Sequence, residues 1–301
     1  MPIRPAHSPR LAIATSADYP ALDADDAAAV VALERLGTPS TICVWNDPQV
    51  DWTQFDAVLI RTIWDYFKHY AAFRRWLDRL DQLGVATIND SALLRWNSDK
   101  HYLLELAQHD VEIIPTRVAD TRALPALLAT MPAQQVVVKP TVSGGAWLTL
   151  QGTAGDAAFD QAVAQLPLGH DFLVQPFVPE IVSEGEWSLL YFGGAFSHAV
   201  IKRPASGDYR VQGKFGGSAE PLQPGATILA AADHALAAVA RIGHRDHAYV
   251  RVDGVLCAGR FLIMELEMIE PSLHLDAHPQ AAERFATQVA ARLRCGTKLQ
   301  A

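Results

Sequence analysis

Residues 249–272 read YVRVDGVLCAGRFLIMELEMIEPS. Two apolar runs flank Gly259, and the pair reads as a β-hairpin. Strand side chains alternate, so Glu265 and Glu267 share one face and Leu262, Met264, Leu266 and Met268 the other. Arg251 and Asp253 lie two apart, on one face of the preceding strand. A turn centred on Gly259 sets Asp253 directly across from Glu265. A turn one residue shorter or longer moves it to the wrong face. In the first register three carboxylates and one arginine converge. Oxygen-only donors at this density suit Mg²⁺ or Mn²⁺, which share a nucleotide's phosphates. The plainer alternative pairs these acids with Arg251 and Arg260 on a half-exposed sheet.

The whole chain narrows the choice. Its 301 residues, half hydrophobic and 19% charged, fit a soluble protein of two or three modest domains. A formal net charge of −8 is the wrong sign for a phosphate-backbone binder, so no nucleic-acid partner is expected. Cys43, Cys257 and Cys295 form no CxxC pair, which suggests neither zinc nor a disulfide framework and fits a cytoplasmic protein. MPIRPAHSPR has no apolar signal core, and no run approaches ~18 apolar residues, so no membrane is expected. A homo-oligomer, a dimer in the first instance, is expected.

The first 90 residues alternate strands with helices. LAIATS (11–16), STICVW (40–45), FDAVLIR (55–61) and VATIND (85–90) read as strands. DADDAAAVVALERLG (23–37) reads as a helix, and a second over 69–84 stops at Gly84. This predicts an α/β unit over 1–92 with a mostly parallel, doubly wound sheet. Ligands of such sheets sit beyond the carboxyl ends of strands, where RTIWDY (61–66) lies. It offers Arg61 to a substrate carboxylate, and Trp64, Asp65 and Tyr66 to walls and an amine. Alternatively, Trp64 is core and Asp65 caps a helix. The rest reads as α+β, in units 93–174 and 175–301. Helices are predicted over 98–108, 121–130, 226–242 and 279–294, a hairpin over 187–204, and a long exposed loop over 205–225.

Several further residues carry chemistry in this pattern. Lys139 ends VVVK before a short glycine loop, where an ammonium and loop amides can meet a phosphate. Lys100 stands near a helix start. A Gly193-Gly194 turn pairs Trp187 with Val200, and sets Arg203 diagonal to Glu186 across one cleft. Arg210 and Lys214, flanked by glycines, read as cations of a lid. Each also has an ordinary reading, as a solvated lysine, a cross-strand ion pair or a mobile surface loop.

In order, these elements are a lysine, a Lys–Gly loop, a QPFV strand, an acid–Arg hairpin, a cationic loop, RVD and ELE. Together they resemble the ATP-grasp enzymes, most closely the glutathione-synthetase and D-alanine–D-alanine-ligase branch, over roughly residues 95–275. The resemblance implies an ATP-grasp fold behind an N-terminal doubly wound domain. It implies an ADP-forming carboxylate–amine ligase that uses ATP and Mg²⁺ or Mn²⁺ and works through an acyl phosphate. It assigns Lys100 and Lys139 to the phosphates, with Ser143, Gly144 and Gly145 as the covering loop. Gln175, Phe177 and Val178 become the adenine hinge, the last two through backbone groups, and Glu186 the ribose contact. Arg203, with Arg210 or Lys214, approaches the γ-phosphate, and Arg251 steadies the acyl phosphate and tetrahedral species. Asp253, Glu265 and Glu267 hold the metal, and Glu270 and Ser272 meet the substrate. Glu267 replaces the family's usual asparagine, and SGGAW (143–147) is shorter than the common loop. RTIWDY and LLRWNSDK are also similar to a group that includes a D-cycloserine-forming cyclo-ligase, which implies a small amino-acid-like substrate closed on itself. Outside the family, a metal-dependent nuclease or a non-catalytic nucleotide-binding module also accommodates the paired acids.

Overall fold

The computed structural model describes residues 9–131 and 133–299, with side chains through Arg294. The stretch 1–8, read above for a signal core, and the Cys295 side chain lie outside the described residues.

The first sheet alternates with helices as β1 (Leu11–Thr15), α1 (Ala24–Arg35), β2 (Ser40–Val44), β3 (Ala57–Ile60), α2 (Tyr70–Leu83) and β4 (Ala86–Ile88). Its strands are parallel in the order β2-β1-β3-β4. Gly84 closes α2 at φ 70°, a left-handed conformation that glycine adopts without a Cβ clash. Both faces of its central strands, β1 and β3, are buried, as in doubly wound sheets. Ala12, Ala14, Val58 and Ile60 face α2 and a tryptophan group, Trp45, Trp52 and Trp76. Leu11, Ile13, Ala57 and Leu59 face α1 and a helix from the far end of the chain.

The helix expected over 98–108 begins only at Tyr102, as α4 (Tyr102–Gln108), and a separate helix that was not predicted, α3 (Ser91–Asn97), precedes it. Between them the Lys100 N–H donates to the Thr141 carbonyl at 2.8 Å, so the chain leaves the helical path to dock on the glycine loop. The second sheet follows as β5 (Arg117–Asp120), α5 (Leu124–Leu128), β6 (Gln135–Pro140), β7 (Leu150–Thr153), α6 (Ala157–Ala164) and β8 (Asp171–Pro176). Its order is β5-β8-β6-β7, all antiparallel. Because β8 runs to Pro176, the expected boundary at 174/175 falls inside a strand.

The third sheet comprises α7 (Glu180–Ser183), β9 (Glu186–Phe192), β10 (Ala195–Arg203), β11 (Ser218–Pro221), α8 (Ala226–Ile242), β12 (Tyr249–Cys257), β13 (Arg260–Glu267) and then α9 (Ala281–Leu299). The order is β11-β10-β9-β12-β13, antiparallel throughout. β11 lies in the stretch expected to be loop. All four of its residues are exposed, so no apolar alternation announces it, and only pairing with β10 makes it a strand.

Two β-bulges set the registers. The β12–β13 turn is Ala258-Gly259, one residue short of a turn centred on Gly259, since Cys257 pairs with Arg260. A bulge at Met264 restores the count, and Asp253 does pair with Glu265. Met264 consequently turns to the Glu265 side. It packs with Leu262 beside Ile114 and Val255, not with Leu266 and Met268 as strict alternation predicted. In β9–β10 the glycine turn is as expected, but a bulge at Ser197 shifts every pair beyond it. Trp187 faces Ile201 instead of Val200, and Glu186 faces Lys202. Finally, α9 returns to the first sheet, where Phe285, Ala286 and Val289 join Leu11, Ile13 and Leu33 in one core.

Candidate active site

A cavity opens between the second and third sheets. β6 supplies Lys139, and the α3–α4 junction supplies Lys100. β9 and β10 supply Glu186 and Lys202, β12 supplies Arg251 and Asp253, and β13 supplies Glu265 and Glu267. Four cations thus meet four carboxylates. They pair closely. Lys100 Nζ lies 2.9 Å from Glu265 Oε1, and Lys202 Nζ 2.5 Å from Glu186 Oε1 and 3.7 Å from Asp253 Oδ2. Arg251 donates to both oxygens of Asp253, at 2.9 Å through Nε and 2.8 Å through Nη2, and also to Glu267. Ser188 Oγ adds a 2.5 Å hydrogen bond to Asp253.

Burial governs the titration of these groups. It would raise Asp253, but Arg251, Lys202 and the Ser188 hydroxyl hold it below the usual carboxylate range. Burial pushes Glu267 up, against Arg251 and with help from Asp253 and Glu265. It pushes Lys139 down. Among the described residues no three acidic, histidine or cysteine side chains are already arranged around one metal position. The donor set nevertheless suits a hard cation. Three carboxylates share one sheet face, and each is held by a cation that an anion could draw away.

At the far end, Gln175 is buried and donates to Thr116 Oγ1 at 2.8 Å, while Phe177 and Val178 line the wall. The Phe177 N–H is committed to the Gln135 carbonyl at 2.8 Å, so its carbonyl is what an adenine hinge can use. The short loop is also present. Lys100 Nζ donates to the Ser143 carbonyl at 2.7 Å, and Ser143 Oγ to Pro140 O at 2.9 Å. Gly144 is packed beneath the Phe67 ring, where a Cβ would stand 2.7 Å from a ring carbon. Lys214 Nζ lies 2.8 Å from where a Cβ of Gly145 would be, so this lid lysine rests on the loop. Arg210 lines the cavity but is held by Asp208, at 2.7 Å, and stacks 3.7 Å over the Phe215 ring.

Arg203 is a correction. The Ser197 bulge turns it out of the cavity, where it is exposed and meets Glu220 at 3.5 Å. Lys202 takes the place expected for it. No residue type betrays that bulge.

RTIWDY also departs from expectation. Arg61 is fully buried, bound to Asp26 at 2.7 Å and to the Pro271 carbonyl at 2.5 Å, over the Tyr249 and Phe285 rings. It is a structural pin, not a receptor for a substrate carboxylate. Asp65 accepts from Trp45 Nε1 at 2.9 Å, and Tyr66 is core beside Phe67 and Phe73. Trp64 donates to the Glu270 carbonyl at 2.9 Å, which brings the first sheet to the segment after β13. Glu270 is pushed up to about 8 by burial and by the charge of Glu267. The Ser272 carbonyl accepts from Arg251 Nη1 at 3.1 Å.

Comparison with known proteins agrees with this geometry. Residues 11–89 match the family model described as the D-cycloserine synthetase DcsG N-terminal domain. The cycloserine biosynthesis protein DcsG of Streptomyces lavendulae is 33% identical over 300 residues, covering 94% of this chain and 99% of that one. The crystal structure of D-cycloserine synthetase DcsG superposes with a TM-score of 0.85 at 32% identity, over 94% of this chain and 99% of that one. The ATP complex of D-alanine–D-alanine ligase from Bacillus anthracis shares the fold, with a TM-score of 0.66 at 13% identity over 98% and 100% of the two chains. A nuclease reading of the paired acids is thereby set aside. The chain belongs to the ATP-grasp family, in the group of D-cycloserine synthetase DcsG, and is an ATP-dependent carbon–nitrogen ligase.

Proposed function

We propose that the cavity binds ATP with Mg²⁺, and that the enzyme activates the carboxylate of a small amino-acid-like substrate for attack by that substrate's own nitrogen. The observation that carries this is the balanced set of four cations and four carboxylates, joined through Arg251 to the segment after β13. Phosphate oxygens compete for Lys100, Lys139, Lys202 and Arg251, and in doing so release Glu265, Asp253 and Glu267 as oxygen donors. When bound there, Mg²⁺ neutralises charge on the transferring phosphoryl group.

The chain's own groups do the rest. The Ser143–Gly145 loop and Lys214 cover the phosphates, and Gln175, Phe177 and Val178 enclose the base beside Glu186. Arg251 holds the acyl phosphate and then the tetrahedral oxyanion, a role its contacts on both sides support. The lid over 205–217, with Arg210, keeps water from the acyl phosphate. Trp64, Glu270 and Ser272 form the substrate end, with Asp65 and Tyr66 behind them. Kinship with a D-cycloserine synthetase over nearly the whole of both chains supports ring closure over joining two molecules. We also assign domains to 1–92 together with α9, to 93–176, and to 177–280. Cys43 and Cys257 are free thiols, which supports a cytoplasmic setting.

The test is ADP release, screened with Mg²⁺ and ATP against D- and L-amino acids and their O- and N-substituted derivatives. Turnover with one compound and no second acceptor is expected. Absence of any thermal stabilisation by Mg²⁺ with ADP or AMP-PNP would sink the reading.

A further inference from the structure

From Ile269 to His274 the chain has no regular structure, yet its exposure alternates up to Leu275, where a 3-10 turn begins. Ile269, Pro271, Leu273 and Leu275 are buried, while Glu270, Ser272 and His274 are partly open. Five consecutive carbonyls in this segment are each taken by a side chain. Ile269 O accepts from the Tyr249 hydroxyl at 2.8 Å, Glu270 O from Trp64 at 2.9 Å, and Pro271 O from Arg61 at 2.5 Å. Ser272 O accepts from Arg251 at 3.1 Å, and Leu273 O from His198 at 2.9 Å. Asp25 accepts the N–H of Leu273 at 2.9 Å and of Leu275 at 2.5 Å. With so much backbone bound to protein, what the segment has left to offer a ligand is its partly open side chains, not its amides.

His274 is the unusual member of the row. Asp25 grips the N–H groups on both sides of it, and between them it adopts φ 49° and ψ 49°. That left-handed conformation costs a non-glycine residue about 1 kcal/mol or more, and such strain collects at working sites. The imidazole makes no hydrogen bond with the described residues. Burial, then the charges of Arg251 and Lys202, push it down to about 3. An uncharged ring within the field of two cations can accept a hydrogen bond from a substrate N–H without competing for phosphate.

We propose that His274 is a substrate-binding residue, its neutral imidazole accepting a hydrogen bond from the nitrogen nucleophile of an amino-acid-like substrate, and that Asp25 is its positioning residue. The proposal rests on the ligase reading above and adds a residue that reading did not include.

Full-length wild type, His274→Gly, His274→Asn and Asp25→Asn are saturated with Mg²⁺ and ADP, then titrated with D-cycloserine, D-serine and D-alanine by calorimetry. Glycine takes the left-handed conformation freely, so His274→Gly removes the ring without strain. It is expected to weaken the best of the three probes at least tenfold, with the Kd for Mg·ADP within twofold. His274→Asn, which keeps an acceptor and tolerates the backbone, should recover part of the loss. Asp25→Asn should weaken the probe about threefold, again with Mg·ADP unchanged. Equal probe affinity in wild type and His274→Gly overturns the proposal, as does failure of wild type to bind any of the three. Parallel loss of Mg·ADP affinity in His274→Gly also overturns it, because the effect would then be structural. Failure of wild type to bind Mg·ADP is the distinct result that removes the nucleotide reading, and this proposal with it.

Discussion

The two hairpins that build the cavity make the same kind of turn and carry the same kind of irregularity, with opposite consequences. In β12–β13 a two-residue turn and a bulge at Met264 combine to leave Asp253 opposite Glu265. In β9–β10 a two-residue turn and a bulge at Ser197 move the charged end of β10 by one residue, turning Lys202 in and Arg203 out. One inserted residue reverses the face of everything beyond it, so a bulge decides which of two adjacent cations serves the site. Turn counting succeeded in the first hairpin because two departures cancelled.

The largest effect expected from breaking this contrast is at Lys202. Lys202→Ala leaves Glu186 without its 2.5 Å partner and removes a cation from the phosphate side. Removal of one preorganised charge at such a site costs roughly 10²–10³ in kcat, which steady-state ADP release will read. Loss of less than threefold would mean that the inward lysine is only a structural counter-ion.

Gly254 tests the other bulge. It sits where the β12–β13 register shifts, and a Cβ there would stand 2.5 Å from the Phe261 ring and 2.7 Å from the Leu262 carbonyl. Gly254→Ala should therefore destabilise the protein by about 1–3 kcal/mol, measured by urea denaturation with the m-value unchanged. Wild-type stability would show that the bulge yields freely.

A subtler probe lies just past β13. Burial raises Glu270 to about 8, so the folded state retains a proton that the unfolded chain releases near its ordinary value. Stability from this group is thus fully present below the unfolded pKa and is lost as pH rises through about 8. Glu270→Gln removes that loss. In ligand-free protein it should leave the melting temperature nearly unchanged at acid pH and raise it above pH 8, by the equivalent of about 1–2 kcal/mol after allowance for partial exposure. An equal shift at both ends of the range would contradict it. The smallest effect belongs to Arg203→Ala, whose exposed contact with Glu220 should change kcat by less than twofold.

These cases mark how far the residues alone can be read. The first sheet was legible because α and β periods alternate cleanly and Gly84 ends its helix where a left-handed cap is needed. The cavity was legible through the order of its motifs, which carried Lys100, Lys139, Gln175, Glu186, Arg251 and the three acids to one place. Arg61 misled because a cation after a strand looks the same whether solvent or Phe285, far along the chain, covers it. β11 was missed for want of any apolar face, and the late start of α4 because its cause, the docking of Lys100 on the Thr141 carbonyl, is distant in sequence. His274 carried no signal at all, since its left-handed backbone is imposed by Asp25.

The return of α9 to the first sheet has a consequence for how the enzyme is made. Leu11, Ile13 and Leu33 lie against Phe285, Ala286 and Val289, so one face of the first sheet has only α1 to cover it until α9 exists. A growing chain ordinarily folds its leading unit while the rest is still being synthesised. Here the leading unit keeps part of that face uncovered until α9, which follows the strands of all three sheets in the chain, has been made.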